Sequence, residues 1–201
     1  HTPAAPPAKT NGTLSPSDLG GAKALPGEAG LDEDAAKLRG TRLHTLLEHL
    51  PDADPSDWPR LAQIICDGAP DTDALLSEAS KVISAPDLAF LFHADTLAEV
   101  PLTADIPLLG RRVHGVIDRL IITPEHILAV DFKSNAVVPA TAATTPDGVL
   151  RQMGAYEQML AQIYPDRQIK TAILWTRTAQ WMHLPQALAA SALGSVEAAS
   201  A

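Results

Sequence analysis

The sequence predicts an α/β fold in which a mixed β-sheet is flanked by α-helices. Apolar residues recur at helical spacing before residue 94 and again after residue 145. Short runs rich in Val, Ile and Leu, bounded by turn residues, indicate strands at 95–102, 113–122, 127–132, 169–176 and 180–184. Helices that alternate with strands pack on the faces of one sheet. With 201 residues and 46% hydrophobic content, the chain can form one domain with its own core.

The first 30 residues differ in composition from the rest of the chain. Residues 1–30 are rich in Pro, Ala, Gly and Ser, so they bury too little apolar surface to order themselves fully. We therefore expect a flexible linker at 1–30, ahead of a domain at 31–201 that forms part of a longer protein.

Cysteine content and hydropathy exclude several classes of protein. The single cysteine, Cys66, excludes an internal disulfide and an iron–sulfur cluster held by four cysteines, and we expect it to be buried. No apolar run is long enough to span a membrane, and the first residues lack the pattern of a signal peptide. We expect a cytoplasmic protein with no membrane partner.

The N-terminal part of the domain is predicted to be helical. The first helix spans residues 32–50, with an acidic first turn and Pro51 just past its end. A strand at 95–102 comes after the helices, and residues 103–110 are predicted to turn into the next strand. Shorter helices that brace the first one are expected at 57–66, 71–84 and 86–93.

The centre of the sequence reads as a β-hairpin. Residues 113–122 and 127–132 form its strands, and residues 123–126 form a turn that contains proline. If the loop is centred on the middle of this turn, counting along both strands places Asp118 directly opposite Asp131. Two carboxylates would then share one face of the sheet.

Two facing carboxylates with Cβ atoms roughly 5 Å apart repel each other unless a cation or a proton lies between them. Mg²⁺ prefers such oxygen ligands. Lys133 points to the same face as Asp131 and could orient or deprotonate a metal-bound water. The alternative is a solvated face, on which Asp118 pairs with Arg119 or Arg112 and Lys133 neutralises Asp131. The spacing leaves both interpretations open.

A long irregular connection at 134–148 follows the hairpin, and loops of this length are often functional. A helix then opens at residues 145–147, where threonine is the cap and proline lies in the first turn. Gln152 and Tyr156 are four residues apart and so share a face of this helix. The pattern alone indicates a half-buried tyrosine in the core and an exposed glutamine.

Two other polar residues each allow two interpretations. Glu99 could be an extra acid at the metal or on the path of DNA, but a glutamate that faces solvent from its strand is the simpler expectation. His44 lies at the edge of the apolar stripe of the first helix, where a histidine is normally a packing or capping residue.

The net charge of −9 is unfavourable for DNA binding, which depends largely on basic contacts to phosphate. The charge is unevenly distributed, however. Residues 111–177 carry eight Lys and Arg against six Asp and Glu, and they include the hairpin and the Gln152 helix. We therefore expect the isolated domain to bind DNA weakly.

Several motifs occur in a fixed order along the chain: Ser15-Pro16-Ser17, Arg39-Gly40-Thr41-Arg42-Leu43-His44, Leu46-Leu47-Glu48, Gly115-Val116-Ile117-Asp118-Arg119, Val130-Asp131-Phe132-Lys133-Ser134, and Gln152 with Tyr156. This set resembles the PD-(D/E)XK nuclease core in its RecB-like branch, and specifically the C-terminal nuclease domain of AddA-type bacterial helicase-nucleases. The similarity runs from about Ser15 to Leu184. No single motif is specific, but the ordered set is. The proline of the family name is absent.

The resemblance implies a restriction-endonuclease-like fold and a Mg²⁺-dependent DNase, in which Mn²⁺ can replace Mg²⁺. Its substrate would be DNA, mainly single strands delivered by a helicase, in double-strand-break processing and recombinational repair. The implied partners are the helicase portion of the same parent chain and a second, AddB-type subunit.

The resemblance also assigns roles to individual residues. Lys133 would position or activate the attacking water, and Ser134 would contact a phosphate. Gln152 and Tyr156 would support the catalytic centre and contact DNA. The implied metal ligands are His44, Asp118, Asp131 and the backbone carbonyl of Phe132.

Two other functions stay open from the sequence. One is an inactive nuclease-like module that docks a partner subunit, although such copies usually lose an acid or the lysine, and both acids and the lysine are present here. The other is an enzyme that acts on RNA or another phosphodiester with the same site. A comparison of DNA and RNA strands would separate this enzyme from a DNase.

Overall fold

A five-stranded mixed sheet forms the centre of the computed structural model, which describes residues 12–25 and 33–198. The spatial order of the strands follows their order in the chain. β3 and β4 are parallel, and the other neighbouring strands are antiparallel. The strands are β1 (Leu97–Ile106), β2 (Arg111–Ile122), β3 (His126–Lys133), β4 (Gln168–Trp175) and β5 (Gln180–Leu184).

Helices cover both faces of the sheet. Three helices and a 3₁₀ helix, Pro86–Phe92, pack on one face, and two helices pack on the other. The predicted α/β fold, a mixed sheet flanked by helices, is therefore confirmed. The helices are α1 (Glu33–His49), α2 (Trp58–Ile65), α3 (Thr72–Ile83), α4 (Asp147–Ile163) and α5 (Gln186–Ala198).

The turn predicted at residues 103–110 is wrong in its first half. β1 continues to Ile106, because its last residues pair with the start of β2 and Asp105 forms an ion pair with Arg112. The connection is reduced to a 3₁₀ turn, Pro107–Leu109, followed by Gly110 at φ 58°. The conformation with positive φ is one that glycine adopts without steric cost.

Part of the segment predicted as a linker packs on the domain. Leu14 N donates a hydrogen bond to the carbonyl oxygen of Arg112 at 3.0 Å, and Leu19 is buried in the core. Residues 12–25 therefore contact the domain, because a few apolar side chains are enough to fix this short stretch against its surface; the division of the chain at residue 30 stays a prediction. The rest of the predicted linker lies outside the described residues.

The sheet separates two hydrophobic cores. One lies between the sheet and α4 with α5, and the other lies between the sheet and α1, α2 and α3. Cys66 is buried in the second core, as predicted. Among the described helices, none combines the length and the apolar character needed to cross a bilayer.

Two helical glycines provide a matched test of this packing. A Cβ atom at Gly154 would lie 2.6 Å from the carbonyl oxygen of Ala189 on α5, whereas a Cβ atom at Gly40 would meet nothing within 4 Å. We expect Gly154→Ala to lower the free energy of unfolding by about 1–3 kcal/mol through overpacking. We expect Gly40→Ala to raise it by about 0.5–1 kcal/mol. Urea unfolding followed by circular dichroism measures both, and equal effects would contradict the packing of α4 on α5.

Candidate metal centre

The β2–β3 hairpin has the predicted register, since Arg119 pairs with Val130. The same count places Asp118 opposite Asp131, one position beyond the last pair of the ladder. At this position the side chain of Asp118, and not its backbone, bonds to β3. Its Oδ2 accepts a hydrogen bond of 2.5 Å from the Phe132 N–H. The hairpin therefore brings the two acids to the point where β2 and β3 stop pairing.

His44 approaches this point from α1. Its Nδ1 lies 3.3 Å from Asp118 Oδ1, and its Nε2 lies 3.1 Å from the carbonyl oxygen of Phe132. Burial opposes a charge on the ring, but the carboxylates of Asp118 and, less strongly, Asp131 together outweigh burial and raise the pKa of His44 to about 9. At neutral pH a positive charge therefore lies between two of the oxygen atoms predicted to bind a metal.

Asp131, Lys133 and Gln152 form a closed triangle of contacts. Asp131 Oδ1 accepts a hydrogen bond of 2.6 Å from Gln152 Nε2, and Lys133 Nζ donates to Gln152 Oε1 at 3.1 Å. Lys133 Nζ also lies 2.5 Å from Asp131 Oδ2. This last contact is an ion pair, in which the ammonium group offsets the charge of the buried Oδ2. The three contacts therefore fix the Asp131 carboxylate and the Lys133 ammonium group relative to each other.

The two acids have opposite pKa shifts. Burial would raise the pKa of either carboxyl group. At Asp118 the charge and the hydrogen bond of His44 overcome burial and keep the pKa below its ordinary value. At Asp131 burial and the like charge of Asp118 outweigh Lys133, so the pKa is raised. A cation bound to both carboxylates would remove the repulsion that contributes to the shift of Asp131.

Gln152 and Tyr156 lie behind the acids, on α4. The Tyr156 hydroxyl donates to the carbonyl oxygen of Val116 at 2.6 Å, and Gln152 Nε2 lies 3.5 Å from the same hydroxyl. Gln152 is 7% and Tyr156 3% exposed, so the exposed glutamine and half-buried tyrosine indicated by the pattern are wrong. Both side chains support the acids in this structure, and their contact with DNA stays a prediction.

Glu99 also belongs to the site, although the sequence pattern favours a glutamate that faces solvent. Val100 pairs with Ile117 across β1 and β2, and the same count places Glu99 opposite Asp118. Its backbone has φ 49°, an uncommon conformation for a residue with a side chain. The ligand atoms of His44, Glu99 and Asp118 all lie within 4.8 Å of one another. Burial and the charge of Asp118 raise the pKa of Glu99 to about 7.

A signal for Glu99 was present in the sequence. If the turn between β1 and β2 is centred between Leu108 and Leu109, counting along both strands places Glu99 opposite Asp118. Counting from the turn of the next hairpin places Asp118 opposite Asp131 in the same way. Because the strand was predicted to end at residue 102 and not at Ile106, the position of Glu99 opposite Asp118 was missed.

A part-buried ion pair on the same side of the sheet as His44 was not predicted from the sequence. Arg39 of α1 and Glu78 of α3 lie 2.5 Å apart, and the Thr176 hydroxyl donates to the other oxygen of Glu78 at 2.5 Å. The Thr176 N–H donates to the carbonyl oxygen of Lys133 at 2.9 Å. This chain of contacts links the helix of His44 to the end of β3, and the residues involved are too distant in sequence for a local pattern to reveal it.

Ser134 lies just past the end of β3 that carries the acid and the lysine. It is half-buried, and its carbonyl oxygen accepts a hydrogen bond of 3.0 Å from Arg177 Nε. Its predicted contact with a phosphate stays a prediction.

The donor atoms fit a hard divalent cation. Asp118, Asp131, Glu99 and the Phe132 carbonyl offer oxygen ligands. Mg²⁺ and Mn²⁺ prefer such ligands, and an imidazole also suits Mn²⁺. His44 must release its proton before it can bind a metal. Asp131 is outside the close cluster of His44, Glu99 and Asp118, so a shared ion would have to lie between the cluster and Asp131.

Comparisons with known proteins agree with this chemistry. The profile of the PD-(D/E)XK nuclease superfamily matches residues 19–188. One similar solved structure is the crystal structure of a protein called SSO0001, which is 11% identical over 85% of this chain and 88% of that chain, with a TM-score of 0.37. A search of curated proteins found no match.

The pKa of Glu99 predicts a pH dependence of stability for the metal-free protein. The folded value of about 7 is above the ordinary value of 4.5, so the folded state binds this proton more tightly. The resulting stability is complete below pH 4.5 and is lost as the pH rises through about 7. We expect Glu99→Gln to make this decline smaller, measured by urea unfolding across the range in EDTA, while the raised pKa values of Asp131 and His44 still contribute. Glu125→Gln, at an exposed acid in the turn of the central hairpin, is the control. A decline in Glu99→Gln as large as that of the wild type would contradict the assignment.

Proposed function

We propose that this chain, which belongs to the PD-(D/E)XK nuclease superfamily, is a Mg²⁺-dependent deoxyribonuclease. The observation that carries the proposal is the convergence of an imidazole, two buried carboxylates, a backbone carbonyl and a lysine at one end of the β2–β3 hairpin. A solvated face of exposed ion pairs does not account for this arrangement, because Asp118 is 7% and Asp131 2% exposed.

The proposed metal ligands are His44, Asp118, Asp131 and the Phe132 carbonyl, with Glu99 as a further acid beside them. When bound, the cation supplies Lewis-acid stabilisation of the charge on the phosphoryl oxygens and a water of lowered pKa. The residues around it fix the geometry of these ligands.

Lys133 is proposed to orient the attacking water. Its ammonium group has three N–H donors, of which one is given to Gln152 and another faces Asp131. A further donor is therefore available to a water or to a phosphate oxygen. Gln152 holds both Asp131 and Lys133, so it fixes the distance between a metal ligand and the group that positions the nucleophile.

We further propose that the chain is the nuclease part of an AddA-type helicase-nuclease in the cytoplasm. The ordered motifs from Ser15 to Tyr156 support this assignment. Its substrate would be DNA single strands delivered by the helicase portion of the same parent chain during double-strand-break repair, and its partner an AddB-type subunit. The net charge of −9 supports a dependence on the helicase, because an acidic domain holds DNA weakly by itself.

Cleavage of labelled single-stranded DNA in Mg²⁺ and in EDTA tests this function. We expect Mg²⁺-dependent cutting, and a loss of rate of about 10²-fold or more in Asp131→Asn and in Lys133→Ala, because each change removes a group from the reacting centre. Lys170→Ala, on β4, is the matched control and should cut at the wild-type rate.

An RNA strand of equal length separates a DNase from a ribonuclease. If the isolated chain does not cut, the same substitutions are tested in the full helicase-nuclease. Degradation there that neither substitution changes would contradict the nuclease proposal and favour a module that docks a partner subunit.

A further inference from the structure

We propose that Lys81 and Arg177 form a phosphate-binding pair that holds the nucleic-acid strand beside the metal centre. The inference rests on the proposed function and adds to it the place where the substrate backbone lies. The two residues belong to different elements, since Lys81 is in the last turn of α3 and Arg177 is in the turn between β4 and β5.

The pair is attached directly to the end of β3, beside the candidate metal centre. Arg177 Nε donates a hydrogen bond of 3.0 Å to the carbonyl oxygen of Ser134, the residue after Lys133. Lys81 Nζ donates to the carbonyl oxygen of Arg177 at 3.4 Å. These two bonds hold both cations beside the end of β3. Both side chains are exposed, so a polymer can reach them.

Neither cation has an acidic partner among the residues that the structure describes. Two other exposed cations do have one: Arg112 pairs with Asp105, and Arg60 pairs with Asp57. Apart from the bond that Nε donates, the Arg177 side chain makes no hydrogen bond to the residues that the structure describes. Its two terminal nitrogens therefore have no partner among these residues. Guanidinium nitrogens in that state can bind two phosphate oxygens together, and a lysine adds a compact positive charge.

The acid closest in sequence to the pair does not weaken its charge. Glu78 is three residues before Lys81 on α3, but its side chain is 9% exposed. One of its oxygens pairs with Arg39, and the other accepts the Thr176 hydroxyl. Arg39 and Thr176 thus compensate the charge of Glu78, which forms no ion pair with Lys81 or Arg177.

The overall charge of the chain makes a local pair of cations important. At −9 the molecule as a whole repels a polyanion, so binding must depend on places where cations are unpaired. The pair at Lys81 and Arg177 is such a place, and it adjoins the candidate metal centre. The partner that fits it is the sugar–phosphate backbone, which carries no sequence information.

Binding of a labelled oligothymidylate in EDTA tests the pair without cleavage. In low salt we expect the double variant Lys81→Ala/Arg177→Ala to raise Kd about tenfold and to lower the slope of log Kd against log salt concentration by about one for each cation. The matched control is Arg60→Ala/Lys170→Ala, which removes the same charge from other places. No measurable binding by the wild type, an unchanged Kd in the double variant, or an equal loss in the control would overturn the proposal.

Hydrolysis of bis(p-nitrophenyl) phosphate in Mg²⁺ separates this inference from the proposed function. This small diester has no neighbouring phosphates, so the double variant should cleave it at the wild-type rate while its KM for single-stranded DNA rises about tenfold. An equal loss on both substrates would overturn the proposal, because the pair would then act on the metal centre itself. If the wild type cleaves neither substrate but the oligonucleotide Kd shifts as expected, the binding pair is supported and the nuclease function fails.

Discussion

Two buried carboxylates that face each other across a strand end impose the main constraint on this fold. Asp118 is stabilised by His44 and by a backbone N–H, and Asp131 by Lys133 and Gln152. These compensating groups come from α1, β3 and α4, so the charges are tolerated only when the helices on both faces of the sheet are in place. Loss of any one partner would leave a buried charge uncompensated, which is strongly destabilising. Folding and assembly of the site are therefore the same event.

The sequence predicts the hairpin well because its geometry is local. A turn at residues 123–126 determines which side chains face each other, so the register of Asp118 and Asp131 followed from counting. The same rule failed for Glu99 only because β1 was ended four residues too early. In contrast, helical periodicity shows that Gln152 and Tyr156 share a face but cannot show that other elements cover that face. Their burial depends on packing against the sheet, where Gln152 bonds to Asp131 and Tyr156 to Val116, and no local pattern encodes this packing.

The contacts that the sequence could not predict join residues far apart in the chain. Glu78 meets Arg39 across 39 residues and Thr176 across 98 residues, and it belongs to a helix whose own pattern indicates only a brace. The assignment of His44 to the site likewise came from resemblance, because a histidine at the edge of an apolar stripe is usually a packing residue. Its position between Asp118 and Phe132 now gives this assignment a physical basis.

The most direct test of the proposed metal centre is a crystal structure of the chain with Mn²⁺, with diffraction data collected at the manganese absorption edge. We predict an anomalous peak bounded by His44, Asp118, Asp131 and the Phe132 carbonyl. We also predict that the direct contacts of His44 with Asp118 and Phe132 open to admit the ion, and that the peak vanishes in Asp118→Asn. No peak at this place in the wild type, or a peak elsewhere with these contacts unchanged, would contradict a metal centre at the hairpin.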